Sequence, residues 1–194
     1  MSNKLTTWVI IVSLFYMADG TSEERDVQRR TEILGAAREC FLQFGYAKTS
    51  LDDIAKRAGI SRPLIYRKFK NKEDVFTAVY EDLMESLYPG VEAVLAGKGS
   101  HREKLFGVYE HLLLQPWEAV MSGPMASEFY EACSKLVPEV EAKHLRLQLK
   151  YTQAVLGSKE LSEVFMLAVE GLGSDLPSTR VLRRRLQILV ERFA

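Results

Sequence analysis

The sequence is poor in the residues that build catalytic and metal centres. Its 194 residues include two cysteines and three histidines. Cys40 and Cys133 stand far apart with no CxxC pair, which excludes a disulfide-stapled module and a thiolate zinc site. Both lie in apolar helical contexts and read as free buried thiols, as in a reducing cytoplasm. HExxH, GxSxG and GxGxxG do not occur. Gly97-Lys98-Gly99-Ser100 departs from a phosphate-binding loop because Gly99 stands where Ser or Thr must follow the lysine. An enzyme is therefore not expected, nor a metal or a cofactor. Neither charge sign dominates, with 26 basic against 26 acidic side chains. With 47% hydrophobic and 27% charged residues, disordered and collagen-like chains are excluded as well. Internal repeats are absent, and beyond Ala18 nothing approaches the apolar run of about 20 residues that a membrane helix needs.

Charge is present but unevenly spread. Residues 81–194 carry an excess of three acidic groups. Between Lys48 and Lys72, Lys48, Lys56, Arg57, Arg62, Arg67, Lys68, Lys70 and Lys72 face only Asp52 and Asp53, a net +6 in 25 residues. A basic block of this kind is an electrostatic footprint for phosphate, and equally the composition of an ordinary solvated face.

The stretch Trp8–Ala18, WVIIVSLFYMA, is the one long apolar run. It reads three ways: the core of an export or membrane signal behind Lys4, a helix packed on the body, or an extension ahead of a translation start at Met17. Residues 1–18 are thus set apart as an apolar extension.

From Val27 on, apolar spacing predicts helix after helix. Helix one covers about 27–44 and stops at Gly45. The second opens at Ser50, in a Ser50–Asp53 capping box, and stops at Gly59. A third spans about 61–69, with Pro63 in its first turn, and a fourth about 71–87, before Pro89-Gly90. Further helices fall near 101–121, 125–136, 138–156, 159–172 and 178–193. The fold class is all-α: an N-terminal three-helix domain over 19–70 and an antiparallel helical bundle over 71–194.

Helices two and three are joined by only Gly59-Ile60-Ser61, inside the basic block. Small Ala55 and Ala58 permit close approach, and Ile54, Ile60 and Ile65 supply a core. This is a helix-turn-helix, whose second helix enters the major groove. At about 100° per residue, Phe69 shares the inward side with Ile65, while Pro63 and Arg67 point away and Leu64 and Tyr66 flank them. Arg67 is placed to bond a guanine edge, and Pro63 or Leu64 to touch a thymine methyl. Thr49, Tyr66 and Lys72 sit where phosphates would pass. Ser50, Arg62 and Lys68, from the same basic block, complete the candidate DNA-binding set.

The run Thr49–Ser61, Leu64–Phe69 and Lys72–Phe76, together with Phe44-Gly45-Tyr46, resembles the TetR/AcrR family of bacterial transcription regulators. That resemblance covers residues 28–76. It implies a cytoplasmic, operator-binding homodimer, most often a repressor, released when a small molecule enters the C-terminal helices, with the last two helices forming the dimer seam. Phosphate contacts would fall on Thr49, Tyr66 and Lys72 and base contacts on the third helix. Pro63 departs from the family pattern, which leaves base preference there open.

Two C-terminal sets remain as expectations. Leu161, Phe165, Leu172, Leu182, Leu186, Leu189 and Phe193 repeat at helical spacing and suit either a dimer seam or a subunit core. Phe106, Tyr109, Trp117, Met121, Met125, Phe129, Tyr130 and Tyr151 suit either plain core or the lining of a cavity for an apolar or amphipathic effector. His111 and His144 would add polarity to such a cavity, or be satisfied or exposed. A regulator without effector and a membrane-tethered protein are the alternative readings.

Overall fold

The computed structural model describes residues 22–194; the apolar extension lies outside them. Among the described residues the chain is helical, without a β-strand. Helix α1, Ser22–Phe44, buries Ile33, Leu34, Ala37, Cys40 and Phe41 along one side. It starts earlier than apolar spacing suggested, because its first turns are charged and exposed and carry no periodic signal. At its end Gly45 takes φ +86, and its N–H closes on the Phe41 carbonyl at 3.0 Å.

Helix α2, Leu51–Arg57, is capped as its sequence implies. Ser50 Oγ accepts from the Asp53 N–H, and the Asp53 carboxylate accepts from the Ser50 N–H at 2.9 Å. The Ser50 hydroxyl and then its backbone N–H hold the Asp53 carboxyl below its ordinary range. A depressed folded-state pKa stabilises at neutral pH, and the contribution is lost as pH falls through that value. Asp53→Ala should therefore destabilise the protein at pH 7, with the difference closing at a pH below the folded-state value. Urea melts at the two pH values check this.

Helix α3, Arg62–Lys68, follows the turn at Gly59 (φ +65), and α4, Lys72–Glu85, is capped by the Asn71 side chain on the Asp74 N–H. The next element, α5 over Tyr88–Ala96, was not expected, because Pro89-Gly90 reads as a break. Pro89 instead sits in the first turn, where a missing N–H costs nothing. Gly90 leaves room for the His111 ring, which would collide with any Cβ there.

The segment 101–121 is not one α-helix. Helix α6, His101–Tyr109, runs into a π-helical turn at Glu110–Leu114 and then α7, Gln115–Met121. Pro116 has no N–H to donate to the Leu112 carbonyl, and in the turn before it Gln115 N–H reaches Glu110, five residues back. Helices α8 (Ala126–Leu136), α9 (Pro138–Leu156), α10 (Lys159–Leu172) and α11 (Thr179–Phe193) complete the chain.

Two hydrophobic cores organise these helices. One joins α1–α4 to Phe129, Ala132 and Cys133 of α8, and the other joins α5, α6, α7, α10 and α11. Tyr80, Met121 and Tyr130 pack against both. Packing thus runs across the 70/71 division of the chain.

This arrangement corrects part of the expected dimer seam. Phe165, Leu182 and Leu186 are fully buried inside the subunit, and Leu172, Leu189 and Phe193 pack on the same core. These side chains hold α10 and α11 to the body. The exposed apolar side chains of those helices are Leu161, Val164 and Leu167 on α10 and Val181 and Ile188 on α11. Both helices are apolar on more than one side, so a period of 3.6 could not separate inward from outward faces.

Candidate nucleic-acid interface

Helix α3 rests on the head core through Ile65 and Phe69, with Arg30 of α1 above the Phe69 ring at 5.6 Å. Its other side faces out: Pro63 and Arg67 are exposed, Tyr66 is 52% exposed, and Leu64 is half-buried. Arg67 makes no hydrogen bond or ion pair within the described residues, so its guanidinium fork is available.

Neighbouring cations are partly engaged. Lys68 bonds both oxygens of Asp26 at 2.5 Å and is only 24% exposed. That ammonium holds the Asp26 carboxyl below its ordinary range. Arg62 pairs with Asp52, and Arg57 with Glu39 at 2.6 Å. Exposed pairs of this kind contribute about 0–1 kcal/mol, so Arg62 can exchange its partner for a phosphate at little cost. The acidic partners Asp26 and Glu39 come from α1, far from the basic block in sequence, and spacing gave no signal of them. Lys48, Lys56 and Lys70 are exposed and make no side-chain ion pair within the described residues.

The flanking residues are placed differently from expectation. Thr49 is 3% exposed, and its hydroxyl donates to the Gly45 carbonyl at 2.7 Å. Its side chain secures the turn from within and does not reach the surface. The Ser50 hydroxyl is held by Asp53 in the cap. Lys72 Nζ donates to the Tyr46 carbonyl at 2.7 Å and the Ala47 carbonyl at 3.3 Å, and lies 4.3 Å from the Tyr46 ring centroid. The Lys72 side chain is half-buried.

The expected effector residues are divided between the two cores, most of them in or on the body core. Phe129 belongs to the head core, and Tyr109 and Trp117 to the body core. Phe106 and Tyr151 pack on the body core, Met121 and Tyr130 on both, and Met125 is half-buried. Their polar atoms are used internally. The Tyr109 hydroxyl donates to Thr152 Oγ1, whose proton goes to the Gln148 carbonyl, and the Trp117 indole N–H donates to the Pro177 carbonyl at 3.1 Å. Of the two histidines, His111 bonds Gln115 through Nδ1 at 3.0 Å. His144 is 1% exposed; its Nδ1 bonds the Tyr88 hydroxyl, while its Nε2 is buried with no hydrogen-bond partner among the described residues. Burial holds its pKa below the ordinary value, leaving a neutral imidazole. A concave surface of about 320 Å³ lies between α1 and α3, lined by Asp26, Val27, Arg30, Ile33, Lys68 and Phe69.

Two short helices joined by the four residues 58–61, the second presenting an arginine that makes no hydrogen bond or ion pair within the described residues, form a helix-turn-helix on a helical body. The profile of the bacterial regulatory proteins of the tetR family matches residues 33–79. The match covers the helix-turn-helix head, where the chain is similar to this family of DNA-binding transcription regulators. The transcriptional activator FasR of Mycolicibacterium smegmatis is 35% identical over 83 residues, 43% of this chain and 38% of that protein. The first curated relatives are matched over 32–46% of their lengths. Among solved structures, the TetR-family regulator SCO4454 of Streptomyces coelicolor superposes with a TM-score of 0.67 at 16% identity, over 86% of this chain and 94% of that one. SmeT in complex with triclosan superposes with a TM-score of 0.61 at 19% identity, over 86% and 90%. SmeT is the repressor of a multidrug efflux pump of Stenotrophomonas maltophilia. These structures share the fold. Among the described residues no helix is long and apolar enough to cross a membrane.

Proposed function

We propose that the protein is a repressor that binds a palindromic operator as a homodimer and leaves it when an apolar or amphipathic small molecule enters the C-terminal helices. The observation that carries the DNA reading is the outward face of α3, with Arg67 making no hydrogen bond or ion pair within the described residues, beside exposed Tyr66 and Pro63. Enrichment of duplexes from a random-sequence pool by the full-length chain tests it. An enriched inverted repeat with half-sites about one helical turn apart, or a multiple of it, is expected. Enrichment of single half-sites would argue against a dimeric reader.

Helix α4 is the mechanical link, because its first half packs in the head core and Met84 in the body core. An effector that favours another setting of α4 changes the half-site spacing, and a few kcal/mol of differential binding is enough to empty an operator. The polar groups it would meet are His144 and Tyr88, at the junction of α4, α5 and α9. SmeT offers a relative of the same fold seen with a small molecule. The burial of Tyr109, Trp117 and Phe129 in the two cores favours a second reading, a regulator without effector. Release of the enriched duplex by any member of a panel of apolar and amphipathic small molecules, triclosan included, separates the two.

Lys72→Met keeps the side-chain stem and removes the ammonium. It should weaken all duplexes alike and lower the slope of log affinity against log salt by about one. An unchanged slope would assign Lys72 to the Tyr46 carbonyl alone.

A further inference from the structure

The turn between α1 and α2 is held from two sides by groups remote in sequence. On one side Lys72, at the start of α4, donates to the Tyr46 carbonyl. On the other, the Ala47 N–H, part of the same peptide unit, donates to Glu128 Oε1 at 2.7 Å. One peptide group is thus bonded to a cation at its oxygen and to an anion at its nitrogen, and both bonds are charge-assisted.

Glu128 lies in the first turn of α8, where a carboxylate ordinarily serves its own helix's free N–H groups. Here it reaches back 81 positions to the DNA-binding head. The head is shaped to receive it: a Cβ at Gly45 would collide with the Glu128 carboxylate. Two further contacts run alongside. The Met125 N–H donates to the Leu42 carbonyl at 3.0 Å, and a Cβ at Gly123 would lie 2.9 Å from that of Leu42. The Gly45 carbonyl also receives the Thr49 hydroxyl, and Thr49 directly precedes the Ser50 cap of α2. A continuous chain of bonded groups therefore runs from α8 through the turn to the start of the helix-turn-helix.

We propose that Glu128 is a positioning residue that ties α8 to the reading head, so that the two change state together. The proposal rests on the DNA-binding reading above. On the opposite side of the contact, α8 carries Phe129 and Tyr130 into the two cores. By linkage, DNA bound at α3 stabilises α8 to the same extent that a disturbance of α8 weakens DNA binding.

The test uses full-length protein, the duplex enriched from the random pool, and hydrogen exchange at residues 45–47, α3 and α8. In the unaltered protein the duplex should slow exchange at the Ala47 amide, in α3 and in α8. Glu128→Ala should bind about tenfold more weakly, the loss of one hydrogen bond to a charged group. In that variant α3 should still respond to the duplex and α8 should not. Glu128→Gln keeps an acceptor oxygen and should restore the α8 response and most of the affinity. A merely structural glutamate would lower Tm without uncoupling α8 from α3. The proposal is overturned if α8 responds to the duplex in Glu128→Ala as it does in the unaltered protein. It is equally overturned if Glu128→Gln behaves like the alanine variant. Failure to enrich any duplex would instead remove the DNA-binding reading and this proposal with it.

Discussion

Replacing Arg67 by alanine is expected to erase the protein's preference for its enriched duplex over a scrambled one while leaving its Tm unchanged. The side chain is exposed, lies opposite the buried Ile65 and Phe69, and makes no hydrogen bond or ion pair within the described residues. Its removal therefore takes nothing from the fold. A bidentate arginine–guanine pair carries about 1–3 kcal/mol of discrimination, roughly a five- to 150-fold preference. Binding to unrelated sequence should persist, because exposed Lys48, Lys56 and Lys70 still supply positive charge for phosphates. Arg67→Lys separates charge from geometry: it keeps the cation and loses the planar fork. It should bind the scrambled duplex as before and discriminate as poorly as alanine. Competition between the two duplexes at fixed salt gives the ratio, and a retained preference in either variant would place the base contact elsewhere on α3.

The availability of Arg67 depends on its neighbours being occupied. Lys68 is drawn back to Asp26 and Arg57 to Glu39, so α1 supplies carboxylates that neutralise the side of the basic block nearest to it. The positive charge left over is concentrated on the outward side of α3 and its approaches. Net charge in a window of sequence overstates the footprint, since two of the compensating carboxylates lie before the window opens.

Legibility followed the range of the interactions. The helix-turn-helix was readable because local chemistry fixes it: the Ser50–Asp53 cap, left-handed Gly45 and Gly59, Pro63 in a first turn, and the inward pair Ile65 and Phe69. The same local logic misjudged Pro89-Gly90, where a proline tolerated in a first turn looks like a break and a glycine serves the distant His111 ring. It also missed the π-helical turn, which depends on how the helix accommodates Pro116 and is braced by the Arg183–Glu110 ion pair, 73 positions apart. Thr49 and Lys72 stand in the right segment, yet their side chains are engaged by backbone carbonyls that spacing does not reveal. Glu128 is an ordinary helix-start glutamate by sequence. Only the fold brings it to Ala47.

Leu167→Glu is expected to convert a dimer into a folded monomer and to reduce operator affinity by about 10²–10⁴, the avidity of a second linked half-site. Leu167 is 69% exposed and Val164, three residues away on the same helix, 55%. With Leu161 on α10 and Val181 and Ile188 on α11 they leave large apolar side chains in water on the two C-terminal helices. Self-association through this face would bury them, and an isologous contact places two heads in a fixed relation. A glutamate at 167 would have to be desolvated twice across the symmetry axis, beside its own image, which a surface of this kind cannot compensate. The folded subunit should not be affected, because Leu167 packs on neither core. Phe165→Ala is the contrasting variant: that ring is fully buried against Tyr109 and Phe193, so it should lower Tm through a core cavity of about 3–5 kcal/mol. Light scattering with Tm measurement distinguishes the two: mass halved, with a Tm that no longer depends on protein concentration, for Leu167→Glu, and the dimer's mass kept with Tm lowered for Phe165→Ala. A dimer retained in Leu167→Glu would move the seam away from α10, and the fixed spacing of the two α3 helices would then need another origin.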